Sequence, residues 1–448
     1  MRKIGNVLRI ILILAISISV AGCAALDVFF GGPEDPGTNE PDNEGPVDLT
    51  GTTVTIEGVF RGDAAANFEA SLVGFEDETG ITIEYTGSDG FEGDVRNRVT
   101  APDAPDIVIL PQPGLLGDLA TDGHIQDLAE WFDASFIDAQ YDQVWQDLSQ
   151  VGGLQAAGFW YRVSVKSLVW YNTAVFATEG YQIPTTWDEL LTLSGQMVTD
   201  GYTPWSIGIE SGEATGWPAT DWIEDVMLRL HPTSDYDDWV DGTLAFDSTE
   251  VRAAIAEIEN IWSEPGWVLQ TPTEITTTPF GDAVNEIAGQ SPNALMHRQA
   301  SFASGYLEDA VGETVDAFYL PPITTTAGGN GLNPVLGAGD VAAAVADRPE
   351  VRAVMEHLAS AASVEHWIRQ GGAISPHLDV DPSWYPTIVQ ERAAEIIGDA
   401  DVFRFDGSDL MPSAVGSDAF WTEITSYIAG DQDLDTTLAN IDAAWPTE

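Results

Sequence analysis

Cysteine is almost absent from this sequence: Cys23 is the only one in 448 residues. Without a cysteine pair, no disulfide within the chain can stabilise the fold, so a hydrophobic core has to do so. No apolar run after Cys23 approaches the roughly 20 residues that a membrane-spanning helix needs. The six histidines have no metal-ligand spacing, and no phosphate loop, Ser-His-Asp order or nucleotide fingerprint is present. The sequence therefore predicts neither a metal nor a cofactor.

Basic residues are scarce as well. Lysine and arginine total 16 against 72 acidic residues, for a formal net charge of −56, and Lys3 and Lys166 are the only lysines. Such a surface repels nucleic acid and anionic lipid head groups, and it disfavours anionic solutes unless a local basic pocket overrides the field. We interpret the acidity as a solubility trait of an exported protein, compatible with a saline habitat.

The N-terminus has the layout of a secretory signal. A basic start precedes an apolar run over 10–20, and two small residues and Cys23 follow. This arrangement resembles the bacterial lipobox, which implies that 1–22 is a signal peptide and that Cys23 is lipidated. A lone buried cysteine is the alternative. Residues 23–50 are rich in Gly, Pro, Asp and Glu, a composition that predicts a disordered acidic tether.

The folded part begins with a βαβαβ pattern. Alternating or continuous apolar runs predict strands at 53–60, 81–85 and 104–110, with helices at 64–79 and ending near 101. This rhythm is typical of a mostly parallel sheet with helices on both faces.

A second α/β rhythm follows. One strand is predicted over 164–171, a short strand over 204–209 and a helix over 221–230. Thr186 is the predicted N-cap of a further helix, with Glu189 completing a capping box. The two rhythms predict an α/β protein of two similar lobes.

Eight segments, in this order, carry a resemblance to a known family. They are PDIVILPQPGLL (105–116), WYRVSVKSLVWYN (160–172), YQIPTTWDELL (181–191), PWSIGIESGEATGWPATDWIEDVMLR (204–229), NALMHRQASF (293–302), VLGAGD (335–340), QGGAISPH (370–377) and RFDGSDLMPSAVGSDAFW (404–421). Together they resemble extracytoplasmic solute-binding proteins of ABC sugar importers, in the group that includes the maltose-binding protein. The GWPATDW and RFDGSDLMP segments are similar to the α-glucoside-type branch.

The resemblance implies a type II periplasmic-binding-protein fold, in which two discontinuous α/β lobes are joined by a hinge. Lobe 1 would hold 51–160 and 331–373, and lobe 2 would hold 163–328 and 376–447. Ligand would bind in the cleft, and the lobes would close over it by hinge bending.

Sugar recognition needs aromatic platforms and hydrogen-bonding side chains on loops at strand ends. Gln112 follows a strand in a proline-flanked loop where the family places a sugar contact; a plain turn is the alternative. Gln299 and Phe302 follow another strand and match a family contact position. Asp340 ends a Gly-Ala-Gly-Asp turn whose small residues permit close approach, or which is simply a tight turn.

Charged and aromatic residues supply the other candidates. Arg162 and Lys166 flank the first crossover, where the family supplies a charged ligand contact; an internal ion pair is the alternative. Trp217, Asp221 and Trp222 form an aromatic–acid cluster, in which Asp221 either contacts ligand or stabilises a helix N-terminus.

The last segment holds three further site candidates. Arg404 and Asp409, with Asp406 between them, either form a buried ion network or face ligand hydroxyls. Trp421 aligns with a tryptophan that stacks on a glucosyl ring in maltose-binding members of the family, and core packing is its alternative.

The function implied by the resemblance is a monomeric, lipid-anchored receptor outside the cytoplasmic membrane, and not an enzyme. It would bind neutral sugars, in particular α-glucosides such as maltose, sucrose or trehalose, and deliver them to an ABC permease. Two alternatives stay open. A secreted glycoside hydrolase would need two carboxylates about 5–10 Å apart, and a sensor subunit would have the same fold.

Overall fold

Two β-sheets organise the fold in this computed structural model. The structure describes residues 47–88, 90–307, 310–323, 329–386, 392–393, 396 and 400–446. The predicted signal peptide, Cys23 and most of the predicted tether lie outside the described residues. From Asp48 onward the chain forms one compact unit.

The strands and helices of the described residues follow one another along the whole unit. The strands are β1 Thr53–Gly58, β2 Thr82–Gly87, β3 Ile107–Leu110, β4 Phe159–Val165, β5 Leu168–Asn172, β6 Met296–Arg298, β7 Val315–Tyr319, β8 Pro334–Ala344 and β9 Val402–Phe405. The helices are α1 Gly62–Thr79, α2 Phe91–Arg98, α3 Pro113–Thr121, α4 Ala134–Gln140, α5 Gln143–Leu148, α6 Thr173–Glu179, α7 Trp187–Asp200, α8 Trp217–Leu230, α9 Thr233–Val240, α10 Thr249–Trp262, α11 Pro272–Thr277, α12 Phe280–Asn285, α13 Pro349–Leu358, α14 Glu365–Gln370, α15 Gly407–Leu410, α16 Trp421–Ala429 and α17 Leu434–Asp442.

The first sheet has the strand order β2-β1-β3-β8-β4, and β9 pairs with the start of β8. β1 runs parallel to β2 and β3, whereas β8 runs antiparallel to β3 and β4. Because β8 also runs parallel to β9, three of the five strand pairings are parallel, as predicted, and the two antiparallel pairings both belong to β8, which returns from a distant part of the chain. Its direction has no local sequence signal.

The second sheet, β6-β5-β7, is antiparallel throughout. The single strand predicted over 164–171 is two strands, β4 and β5, which belong to different sheets. The break falls at Lys166 and Ser167, where the Leu168 N–H donates to the Lys166 carbonyl at 2.9 Å. The strand predicted over 204–209 forms only isolated bridges, at Trp205 and Glu210.

Local capping signals are partly realised. Thr186 is the N-cap of α7, and its Oγ1 accepts from the Glu189 N–H at 3.2 Å. The Glu189 carboxylate, however, accepts from Thr185 rather than from the Thr186 N–H, so the predicted box is only half formed.

Buried apolar side chains form two main clusters. The first packs against the first sheet and includes Ile109 and Leu115, and the second surrounds α8 and α10 beside β5 and includes Met411. β9 pairs with the first sheet, although the predicted boundaries assign its residues to lobe 2. Among the described residues, none of the helices is both long enough and apolar enough to cross a membrane.

Candidate functional site

A cavity of about 490 Å³ is lined by members of the first cluster, such as Phe60 and Trp367, and by residues of α8, α15 and α16. Its size falls within the range of small-molecule binding sites. The structure brings eight of the twelve predicted ligand-binding residues together on its walls. They are Gln112, Arg162, Lys166, Trp217, Phe302, Asp340, Asp409 and Trp421.

One wall carries a neutralised arginine. The β4–β8 register shifts between Trp160 and Arg162, which places Arg162 opposite Asp340, and the two side chains form an ion pair of 2.5 Å. The guanidinium also lies 4.4 Å from the Trp367 ring centroid and 4.7 Å from that of Phe60. Arg162 is thus fixed by its partners before any ligand binds. Asp340 lies within β8, so the predicted turn at this position is wrong.

Beside this pair, the Gln112 side chain is 3% exposed, and its Oε1 has no hydrogen-bond partner among the described residues. Gln112 is the N-cap residue of α3, so the strand-to-helix junction holds its side chain at the cavity. Burial raises the pKa of the neighbouring Glu92 carboxyl, and a hydrogen bond with Gln112 partly offsets this shift. The orphaned amide oxygen leaves a place for one ligand hydroxyl.

A second wall is aromatic. The Trp217 ring centroid lies 5.0 Å from that of Phe280 and 6.0 Å from that of Phe302, and Tyr306 lies 5.4 Å from Phe280. Trp421 adds a further ring, held by a 3.1 Å hydrogen bond from its Nε1 to the Ser408 hydroxyl. Such rings offer flat apolar faces for the C–H surface of a sugar.

Lys166 forms the base of the cavity. Its Nζ donates to Asp221 at 2.8 Å and to Asp406, and it lies 5.1 Å from the Trp217 ring centroid. Lys166 therefore forms internal ion pairs and also reaches the cavity. Burial alone would lower the pKa of Lys166. The charges of Asp221 and Asp406 nevertheless raise this pKa well above its usual value.

The ion network continues behind the cavity. Arg298 donates to Asp221 at 3.1 Å and also to Asp225, which in turn pairs with Arg229 at 2.6 Å. The carboxylate oxygens of Asp221, Glu224 and Asp406 lie within 4.8 Å of one another. Lys166 donates to two of these three acids, so its ammonium supplies the positive charge that the acidic cluster needs.

The sequence matches the family of bacterial extracellular solute-binding proteins over residues 58–365. The chain belongs to this family. The resemblance recognised in the sequence is thereby confirmed, and the family places this solute-binding protein outside the cytoplasm.

Two relatives match most of this solute-binding protein. The osmoprotective compounds-binding protein GgtB of Synechocystis sp. is 40% identical over 394 residues, which cover 88% of this chain and 92% of the relative. The alpha-glucosides-binding periplasmic protein AglE of Rhizobium meliloti is 36% identical over 405 residues, which cover 89% and 88%.

Solved structures share the fold at low identity. Maltose-bound MalE3 of T. maritima has a TM-score of 0.67 and 17% identity, covering 88% of this chain and 98% of that chain. The bacterial solute receptor AcbH, described as preferring β-D-galactopyranose, has a TM-score of 0.73 and 17% identity, covering 88% and 97%. The predicted fold class, two α/β lobes of the type II periplasmic-binding kind, is confirmed.

Four predicted contact residues do not line the cavity of this solute-binding protein. Asp221 is fully buried within α8 and is occupied by Lys166 and Arg298, because α8 begins at Trp217 rather than at Asp221. Trp222 points into the second cluster, and its ring packs against Trp205 at 5.5 Å.

Gln299 and Arg404 are the other two predicted residues that do not line the cavity, each for a different reason. Gln299 is 1% exposed, and its side chain accepts from the Ala300 N–H at 2.8 Å, so the amide folds back on its own backbone. Arg404 pairs with Asp237 through two hydrogen bonds of 2.5 and 2.8 Å and does not line the cavity.

The cavity also holds residues that the sequence reasoning missed. Glu92, Phe280 and Tyr306 line it. Glu92 is one of 72 acids, and neither aromatic residue lies in a segment whose pattern points to a site. Only their proximity in the fold identifies them.

Proposed function

We propose that this solute-binding protein captures a neutral sugar or a sugar-like osmoprotective compound in the cavity and delivers it to an ABC permease. The observation that carries the proposal is the composition of the cavity walls. The lining combines the aromatic rings of Trp217 and Trp421 with hydrogen-bonding groups at Gln112 and Asp409, as a ligand with both C–H faces and hydroxyls requires.

The names of the two relatives support a ligand of this class. One is described as binding osmoprotective compounds and the other as binding α-glucosides. A small neutral glycoside satisfies both descriptions. Neutrality also fits the cavity, because Arg162 and Lys166 are both paired with carboxylates and offer little net charge to an ionic ligand.

Capture is proposed to involve closure of the two lobes. Lobe 1 comprises 51–160 and 331–373, and lobe 2 comprises 163–328 and 376–447. The crossovers near Lys166, between β7 and β8, and after Gly372 act as the hinge. A ligand shifts the open–closed equilibrium only by its preference for the closed state, so residues from both lobes must contact it.

The N-terminus is proposed to anchor the protein. Residues 1–22 act as the signal peptide, and Cys23 carries the lipid, with the acidic tether as spacer. Cells expressing the full chain and the Cys23→Ala variant, fed a palmitate analogue, test this step. Label and membrane association are expected for the natural chain alone, and equal labelling of both would contradict the anchor.

The ligand is tested by calorimetric titration of the chain lacking residues 1–22. The panel is maltose, sucrose, trehalose, raffinose and an anionic control, glucose 6-phosphate, with chromatography of the mixtures afterwards. Saturable binding of a neutral glycoside without products is expected. Product formation would favour a glycoside hydrolase, and a flat response to every neutral sugar would overturn the proposed ligand class.

A further inference from the structure

The ion network at the base of the cavity contains more acids than bases. Its members are all buried, with at most 5% of each exposed. The acids are Asp221, Glu224, Asp225, Asp406 and Asp409, and the bases are Lys166, Arg229 and Arg298. An ionised carboxylate without a partner costs several kcal/mol when it is buried, so this set cannot be fully ionised.

All the ion pairs of the three bases are made with three of the five acids. Asp221 binds Lys166 and Arg298, and Asp406 binds Lys166. Asp225 is paired with both arginines of the network, Arg298 and Arg229. Glu224 and Asp409 are left over as the two acids without a cation.

The two remaining acids differ in their surroundings. Glu224 is fully buried behind the cavity and accepts from the backbone N–H groups of Gly407 at 2.8 Å and Ser408 at 3.2 Å. Asp409 lines the cavity and is 5% exposed. Within the described part of the chain, its backbone N–H donates to Asp406 at 3.0 Å, but no hydrogen bond reaches its carboxyl oxygens.

We propose that Asp409 faces the cavity as a neutral carboxylic acid and donates its proton in a hydrogen bond to an acceptor oxygen of the ligand. This inference rests on the proposed function and narrows its ligand class. The solute must present an ether or glycosidic oxygen, which cannot itself donate, above α15, and Asp409 selects for that oxygen because an unmatched buried polar group is costly.

The groups around Asp409 all favour the neutral form except one. Burial raises the pKa of Asp409 well above its usual value, the charge of Asp406 adds to this, and Lys166 opposes it. Two acids of neighbouring elements, Asp118 of α3 and Asp237 of α9, are bound to arginines at the surface. The charged groups that act on Asp409 are Asp406 on its own segment, Lys166 from the crossover, Asp221 from α8 and Glu92 from α2.

A proton on Asp409 links binding to pH. Below the pKa of Asp409 the acid donates to the ligand, and above it the carboxylate has no proton to give and repels the ligand oxygen. Affinity is therefore expected to be constant on the acid side and to fall as pH rises through that pKa.

Infrared difference spectroscopy tests the proton without any ligand. The chain lacking residues 1–22 is compared at neutral pH with its Asp409→Asn and Glu224→Gln variants, with circular dichroism as the check on folding. Each variant is expected to lose one carbonyl band of a protonated carboxyl, because nearly all other acids are ionised at this pH. An unchanged band region in Asp409→Asn would overturn the proposal, whatever the ligand is.

Affinity then tests the hydrogen bond, with the sugar that binds in the panel as the probe. Asp409→Leu is expected to bind that sugar about tenfold to a hundredfold more weakly at pH 6. Asp409→Asn retains a donor, so it should bind more tightly than Asp409→Leu and lose the decline with pH. Wild-type affinity in Asp409→Leu would overturn the proposal. If no sugar in the panel bound, the proposed function would be contradicted. The infrared result on the proton of Asp409 would not be affected.

Discussion

The Lys166 Nζ lies 2.8 Å from Asp221 Oδ1, and this contact joins the β4–β5 crossover to the interior of α8. The same ammonium binds Asp406, which follows β9. Three segments that are far apart in the sequence therefore meet at one cation, at the point where the chain passes from one sheet to the other. The base of the cavity depends on this meeting point.

Replacing Lys166 by methionine should destabilise the protein strongly. Methionine has a similar length, but Asp221 and Asp406 would lose the ammonium between them while staying buried. Breaking a buried pair by removing one partner costs about 3–5 kcal/mol. The free energy of unfolding, from urea titrations followed by tryptophan fluorescence, measures the loss.

Arg252→Met is the matched control for this prediction. Arg252 pairs with Asp247 at 2.6 Å and with Asp435 at 2.7 Å, and about half or more of both acid side chains is exposed. Such surface pairs contribute roughly 0–1 kcal/mol. Equal losses in the two variants would contradict a special role for Lys166.

Trp217 should contribute to sugar affinity through its ring. It lines the cavity, packs edge-on against Phe280 at 5.0 Å and is partly exposed, so a ligand can reach its face. Trp217→Leu is expected to weaken binding of the identified sugar about tenfold, the equivalent of roughly 1.4 kcal/mol. Calorimetric titration measures the change.

The control for Trp217 is Trp131→Leu. Trp131 is also partly buried and also has a cation near its ring, Arg352 at 4.8 Å, but it lies away from the cavity. Its replacement should leave the affinity unchanged. If Trp131→Leu weakened binding as much as Trp217→Leu, the aromatic wall would not be the binding surface.

Local patterns were enough to predict much of the framework. The continuous apolar run before Leu110 predicted β3, and the Thr186 cap predicted the start of α7. Family resemblance then placed Gln112 and Trp421 near the ligand, and both line the cavity. The strand and helix predictions succeeded because each depends on a short stretch of sequence, whereas ligand contact by Gln112 and Trp421 stays a prediction.

Two of the failures involve distant partners. Gly337 and Gly339 suggested a turn before Asp340, yet they are needed because Phe403 and Trp160 pack against the straight strand β8. Asp221 was predicted at a helix start facing ligand, but its partner Arg298 is 77 residues away. No local pattern reveals such contacts.

Gly114 should control how closely the two hydrophobic clusters approach each other. It stands at the start of α3 beside Leu115 of the first cluster, and a Cβ there would overlap the carbonyl oxygen of Met411, which packs in the second. The obstructing atom belongs to the Met411 backbone, which cannot shift without a cost in free energy. Gly114→Ala is expected to weaken sugar affinity and to increase the radius of gyration of the liganded protein, measured by small-angle scattering.

Gly74→Ala serves as the control for this substitution. Gly74 lies within α1, and a Cβ there would meet nothing within 4 Å. Alanine should therefore leave affinity and dimensions unchanged and stabilise the helix by up to about 1 kcal/mol. Gly114→Ala with wild-type affinity and dimensions would show that this contact does not govern the approach of the two clusters.

Glu224 should make the protein less stable as pH rises. Burial, with the charge of Asp406, raises the pKa of Glu224 well above its usual value. Above about pH 4.3 the unfolded chain releases this proton while the folded chain keeps it. Stability then falls by about 1.4 kcal/mol per pH unit until the folded pKa is reached.

Glu224→Gln isolates this contribution, because glutamine can still accept from the Gly407 and Ser408 N–H groups and has no proton to release. Repulsion among the other acids of this strongly acidic chain also grows with pH, but it acts almost equally in both proteins. Urea unfolding between about pH 5 and pH 7 should therefore show a steeper fall in stability for the natural chain than for Glu224→Gln. Parallel curves would mean that Glu224 is already ionised in the folded protein, and that Lys166 and Arg298 compensate more buried charge than their hydrogen bonds indicate.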